Sequence, residues 1–385
     1  MLFYLTIAVM LFFIDFINHY SIGVIKKIFN YFSLFIFVII AGTRFETGYD
    51  WRAYTGVYEN TPSLLEVLFL DKNALLHSEM EPLFVFSNAV LKSFSNNVSL
   101  LFFMAAFFNG VIIYKVSLKL KTNPSFIFSI YFCVAYLTGQ MTLLRQSIAS
   151  SLLLIAIVAL IESKTSKAVI LGIFGACFQV SILIFTPIIL FKKYKPNILF
   201  FSSFLIICFI ILFFIDNVVL TIMSSILFFT SGNIAIKLLE YIEIGQFASS
   251  TGSWLYLLIN LFLLRIAYIM GINRSWMIEF RIYFYITLFM IFGLTILAAQ
   301  PIFWNRIQLV AVPLQGMLLF KFSQTLTAPT KVFFLILIYV ICIIIFLYSL
   351  SKDNMSPFLP YQSIIEHIYS NDRGDGAYRL ESTIK

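Results

Sequence analysis

Runs of about 20 predominantly apolar residues, enough to cross a bilayer as a helix, recur in this 385-residue chain from Met1 to Leu350. They constrain the fold more than any other feature. Backbone amides in hydrocarbon have no water to bond, so only helices and closed barrels can span. A barrel would show short segments of alternating polarity, and none is present. Only 11% of the residues are charged, against roughly 25% in a soluble domain. The pattern predicts an all-α, polytopic integral membrane protein with about 10–12 transmembrane helices. Spans are expected at 2–18, 28–43, 98–116, 124–141, 144–162, 197–215, 252–272, 282–299, 303–322 and 332–350. Met1 onward lacks a basic leader and a small-residue cleavage site, so the first stretch reads as an uncleaved span.

A single transmembrane domain, 1–350, is expected, with polar inserts at 44–81 and 216–250 and a polar tail at 351–385. Short loops rich in Lys and Arg stay cytoplasmic. Lys26–Lys27, Lys115–Lys121, Lys164–Lys167 and Lys192–Lys195 qualify, with a weaker cluster at Lys321 and Lys331. Segment 44–81 carries seven acidic residues against three basic ones and reads as external. This assignment works if 82–95 and 168–191 are re-entrant, entering the membrane and returning, with a break at "CFQVS" in the second. The alternative is two ordinary spans and a weak violation of the charge rule. On the re-entrant topology, Arg44–Tyr54, Gln140–Gln146, loop 216–250, Gln300–Gln308 and the tail gather on the external side.

The polar residues that interrupt this apolar chain are the candidates for chemistry. In "TRFETGYDWRAY" (43–54), Arg44 ends a span and is a candidate phosphate clamp. Gly48 permits a tight turn or close ligand approach. Asp50 and Tyr54 share a helical face, and Asp50 is a candidate base or hydroxyl orienter. Tyr49 and Trp51 are aromatic surfaces suited to sugar rings or to the interfacial belt. In "LLRQSIASSLLL" (143–154), Arg145 and Gln146 stand at the mouth of an apolar helix. In "QPIFWNRIQLVAVPL" (300–314), Arg306 stands at the same expected depth. Arginines at one depth on one side repel unless an anion joins them, and a guanidinium suits phosphate oxygens. Asp15, Arg265, Arg274 and Arg281 read as structural. Segment 218–247 is amphipathic and reads as a surface lid or as interfacial packing.

Several chemistries have no equipment here. The four cysteines lie in apolar stretches without a CxxC pair. No HxxxH or HExxH pattern and no phosphate-binding glycine loop occurs, so no metal and no cofactor is expected. The net charge of +8 mostly reports lysines at helix ends, and no nucleic-acid motif is present.

Taken in order, these pieces resemble the EpsG/Wzy family of bacterial polysaccharide polymerases. An arginine after the second span is followed by Gly-x-Asp and a tyrosine, here Arg44, Gly48, Asp50 and Tyr54. The family's Arg-Gln-x-Ile-Ala signature is similar to Arg145, Gln146, Ile148 and Ala149. A later arginine with a proline in the same span corresponds to Arg306 and Pro313, and a Pro-Tyr element to Pro360 and Tyr361. Where the family often has a histidine, this chain has Gln179, which cannot shuttle a proton near neutral pH.

The resemblance implies a GT-C-like O-antigen polymerase of the bacterial inner membrane. Its donor and acceptor would be glycans linked to undecaprenyl diphosphate, held on the periplasmic side. A chain-length co-polymerase would be its partner beside the lipid bilayer. Arg44, Asp50, Arg145 and Arg306 would be catalytic. Tyr54, Trp51, Gln146, Gln179 and Tyr361 would bind substrate. A lipid-linked oligosaccharide flippase or transporter, or a polyprenyl-dependent O-antigen ligase, would share many of these features. Transporters often carry inverted repeats, and none is visible here.

Overall fold

The structure is a computed structural model that describes residues 1–69, 80–214, 253–296, 301–370 and 374–384. Segment 218–247, His77 and Gln300 lie outside these residues. The described chain is helical and contains no strand, only an isolated bridge between Arg44 and Ser363. Seven of its helices are long and apolar enough to cross a membrane. Contacts divide the chain into two compact units, Met1–Phe185 with Phe320–Lys385, and Thr186–Leu319.

In the first unit, α1 (Leu2–Tyr20), α2 (Gly23–Gly42), α6 (Ser99–Lys119) and α9 (Leu144–Ile161) are long apolar helices. Between α2 and α6 lie the short helices α3 (Trp51–Asn60), α4 (Leu64–Phe69) and α5 (Pro82–Lys92). The predicted span 124–141 forms as two pieces, α7 (Pro124–Val134) and α8 (Tyr136–Met141), broken at Ala135. Helix α7 is buried on every side, and α1, α2, α6 and the later helix Ala328–Leu350 pack around it. Large apolar side chains such as Phe13, Phe35, Phe333 and Ile344 are exposed, as lipid-facing positions require.

A polar knot joins these helices at one end. Asn18 donates to Asn30 (2.8 Å), Asn123 (3.0 Å) and Ser125 (2.9 Å). Asp15 accepts from Asn123 (2.7 Å) and Tyr339. Every one of these groups is fully or nearly fully buried, so the knot stands or falls together. Asp15 is therefore structural, as expected. Basic residues mark the same end: Lys119 and Lys164 both pair with Glu162, at 2.6 and 2.8 Å, and His19 lies near Lys26 and Lys331.

Helix α5 is short. Its 11 residues reach about 16 Å, near half of the roughly 30 Å hydrocarbon core. Arg145, at the start of α9, pairs with Glu81 just before it. Its far end is tied to the same polar insert: Tyr58 donates to the Ser95 carbonyl (2.7 Å), and the Leu64 amide to Ser93 (3.0 Å). Both ends of α5 are thus tied to residues of this unit at the end away from Lys119 and Lys164. Helix α10 (Thr165–Phe178) runs back along α9, and its regular backbone stops at Gln179, inside "CFQVS". A 3-10 segment, Val180–Phe185, follows.

The second unit holds α11 (Pro187–Phe191), α12 (Ile198–Phe214), α13 (Ser253–Asn273), α14 (Ile278–Ile296) and most of α15 (Pro301–Ser323). Arg281 donates to the carbonyls of Trp276 and Lys192, which is the structural role expected for it. Gln315 of α15 donates to Asn260 of α13 at 2.7 Å. The chain then returns to the first unit through α16 (Ala328–Leu350) and ends in α17 (Ile364–Ser370) and α18 (Gly376–Ile384).

Candidate functional site

The end of the first unit opposite the lysines is built on the turn between α2 and α3. Arg44 leaves α2 and pairs its backbone with Ser363. Gly48 adopts φ +103°, and a Cβ there would lie 2.1 Å from the Met141 carbonyl oxygen. Any other residue would thus meet both backbone strain and a collision. This close approach brings the turn against the end of α8, where the guanidinium of Arg44 donates to the carbonyl of Gln140. Gln140 is itself held: its side chain accepts from Asn109 (3.0 Å) and donates to Tyr131 (3.2 Å). Asn109 also bonds Ser147 and Ser151 of α9.

Arg44 is 1% exposed. Its guanidinium carbon stands 4.3 Å from the ring centre of Phe102. Tyr54, Tyr136, Tyr4 and Tyr361 surround it. Among the described residues no carboxylate pairs with it. Burial pulls it down to about 10, so it remains a cation at neutral pH. Burying an ion costs several kcal/mol. One charged hydrogen bond returns about 1.5–3 kcal/mol, and one ring face about 0.5–2 kcal/mol. Its Nε and Nη2 have no hydrogen-bond partner among the described residues. Among the described residues, the arrangement is a buried cation with no matching anion.

Arg145 belongs to the same cluster. Tyr54 bonds it and also lies close to Arg44. Tyr54, Phe84, Phe102, Leu144 and Ile148 share one apolar core, against which Trp51 and Phe178 pack. Arg145 stands 5.9 Å from the Phe84 ring centre and pairs with Glu81. Its Nε, the Gln146 Nε2 and the Trp51 Nε1 are buried without hydrogen-bond partners among the described residues. All three are donors, which suits an oxygen-rich anion. Asp50 precedes α3, half-buried, one turn before Tyr54. Burial and then the Asp50 carboxylate push the Tyr54 phenol above its usual range, with Arg145 opposing. Tyr54 therefore keeps its proton at neutral pH.

Comparison with known proteins bears on this constellation. The model of the EpsG family matches residues 27–363. The chain belongs to the EpsG family. None of the curated proteins and none of the solved structures compared with it matches. Membership points to a polysaccharide-polymerase-like role in a membrane, and the matched segment contains Arg44, Gly48, Asp50, Tyr54, Arg145 and Gln146, while Tyr4 lies before it.

The other expected residues of this EpsG-family chain are distributed as follows. Gln179 terminates α10, two residues from Ser181, whose hydroxyl donates to Gln146 at 2.5 Å. It therefore stands near the level of Arg145. Tyr361 lies beside Arg44, but its hydroxyl already donates to the Ile40 carbonyl (2.9 Å), and its ring stacks on Phe3 at 4.6 Å. Arg306 is half-buried on α15, in the second unit. The cluster described here is built from the first unit alone.

Glu81, Asn109, Phe84 and Phe102 were not singled out in the sequence. Glu81 was one acid among seven in a polar insert, and the others are ordinary residues of apolar helices until their partners are known. Glu81→Ala is expected to destabilise the EpsG-family protein, because Arg145 would keep a half-buried charge without its carboxylate partner. In a double-mutant cycle with Arg145→Ala, the thermal unfolding of detergent-solubilised protein should reveal a coupling of about 0.5–3 kcal/mol. Strictly additive losses would mean that the pair contributes nothing.

Proposed function

We propose that this EpsG-family protein is an O-antigen polymerase of the Wzy type, working at the periplasmic face of the bacterial inner membrane. It transfers a growing glycan from undecaprenyl diphosphate to a new lipid-linked repeat unit. The terminal sugar hydroxyl of the acceptor forms the new glycosidic bond and gives its proton to Asp50. The bond between the donor's anomeric carbon and the diphosphate oxygen breaks, and undecaprenyl diphosphate leaves with the electron pair. Arg44 and Arg145 neutralise the charge that develops on that oxygen. Tyr54, held neutral between them, donates a hydrogen bond to the same group. Trp51, Gln146 and Gln179 contact the glycan, with Gln179 orienting rather than titrating. A separate chain-length co-polymerase acts with it.

The observation that supports this reading best is the buried Arg44, cationic and, among the described residues, without a carboxylate partner and with two unmatched N–H groups. A diphosphate leaving group supplies the missing charge. Deleting the protein is expected to leave surface lipid capped with a single repeat unit, since flipping and ligation continue. Complete loss of surface repeats would instead indicate a flippase or a ligase. Asp50→Asn, at matched protein level, should shorten chains by removing about 10²–10⁴-fold of rate; full-length chains would remove Asp50 from the mechanism.

A further inference from the structure

The residue two positions after Arg44 holds an uncommon backbone conformation in the turn that carries it. Glu46 has φ +44°, a left-handed backbone that a non-glycine residue keeps only when its surroundings over-determine it. Those surroundings come from the tail. The Phe45 amide donates to the Gln362 carbonyl (2.9 Å), and the Ile364 amide to the Thr43 carbonyl (2.8 Å). The Phe45 ring stacks on His367, with centres 4.0 Å apart. The Gly376 amide donates to Glu46 Oε2 at 3.0 Å, and a Cβ on Gly376 would lie 2.3 Å from the Glu46 carbonyl oxygen.

One side chain ties these contacts together. Arg379 is 6% exposed. Its Nη1 donates to the Pro360 carbonyl (2.8 Å), and its Nη2 to Gln362 Oε1 (2.8 Å) and the Glu46 carbonyl (3.3 Å). Its Nε lies 2.7 Å from Asp375 Oδ1. The planar fork of a guanidinium can serve several oxygens in fixed directions, which an ammonium cannot. Residues 364–385 lie beyond the segment matched by the family, 27–363, so this clasp is built from outside it.

We propose that Arg379 is a positioning residue, which clasps the C-terminal helix onto the left-handed turn at Glu46 and thereby aims Arg44. That the aimed arginine serves a diphosphate rests on the function proposed above; the clasp itself does not.

The test uses the full chain with a reporter thiol at Thr47→Cys, since Thr47 is fully buried and adjoins Glu46. Arg379→Ala should speed maleimide labelling of that thiol by roughly tenfold or more, as local opening becomes easier, and should shorten surface glycans. Adding Glu46→Gly should slow labelling again and lengthen the glycans, because glycine holds a left-handed backbone without the clasp. A tail that merely adds stability would not be rescued at that position. Where the alanine variant is not recovered from membranes, Arg379→Gln, which keeps an amide donor, replaces it with the same expected direction. Unchanged labelling in the Arg379 variant, or a double variant that labels as fast as the single one, overturns the clasp. A deletion strain that keeps its long chains overturns the polymerase reading and leaves the labelling result intact.

Discussion

Arg44→Ala is expected to reduce polymer formation by about 100-fold or more, the usual consequence of removing a preorganised donor to a developing oxyanion. The surface lipid should carry single repeats while the protein accumulates normally. The stability effect should have the opposite sign to the activity effect. Arg44 is a buried cation whose partners are a backbone carbonyl, a ring face and phenols, so its removal relieves an uncompensated charge. Loss of its packing against Phe102 works against that gain. The thermal midpoint of the purified variant should therefore stay near or above that of the parent. Arg44→Lys should not restore activity, because a point charge cannot both bond the Gln140 carbonyl and present a fork to phosphate oxygens. Long chains from an Arg44→Ala protein, or a large fall in its stability, would make this arginine a structural element.

Gly48→Ala should be strongly damaging. At φ +103° an added Cβ is strained, and it would lie 2.1 Å from the Met141 carbonyl oxygen. The neighbour is backbone and cannot rotate away. The left-handed conformation costs about 1–2 kcal/mol, and overpacking a further 1–3 kcal/mol or so. The turn that carries Arg44 and Asp50 should detach from α8, and activity and thermal stability should fall together. Gly56, eight residues on, is the control. It lies within α3 with nothing within 4 Å of an added Cβ, so Gly56→Ala should be neutral or stabilising by about 1 kcal/mol. Equal losses at the two positions would mean that the approach to Met141 is not what holds the turn.

The two predictions draw on different kinds of information. That Arg44 is unusual was legible from the chain, because a cation at the end of an apolar run needs a reason. That Gly48 faces a carbonyl of α8 was not, since the approach joins residues 93 positions apart. The break at Gln179 was legible because "CFQVS" interrupts an apolar run with polar residues. Helix α5 was ambiguous in sequence: an apolar run of its length fits either a short crossing or a return. Hydrogen bonds from Tyr58 and Leu64 tie its far end to the polar insert.

By itself, the sequence determined the helical membrane class, the basic and acidic faces of the first unit, and the residues worth suspecting. It could do so because solvation is a local property: hydrocarbon tolerates only apolar side chains and self-bonded backbone, residue by residue. The tertiary structure alone decided which suspects meet. Only there does Glu81 pair with Arg145 while Arg44 is left, among the described residues, without a carboxylate, and only there does Arg379 close on the turn at Glu46. Charge compensation is a property of neighbours in space, and these neighbours are separated in the chain by between 64 and 333 positions.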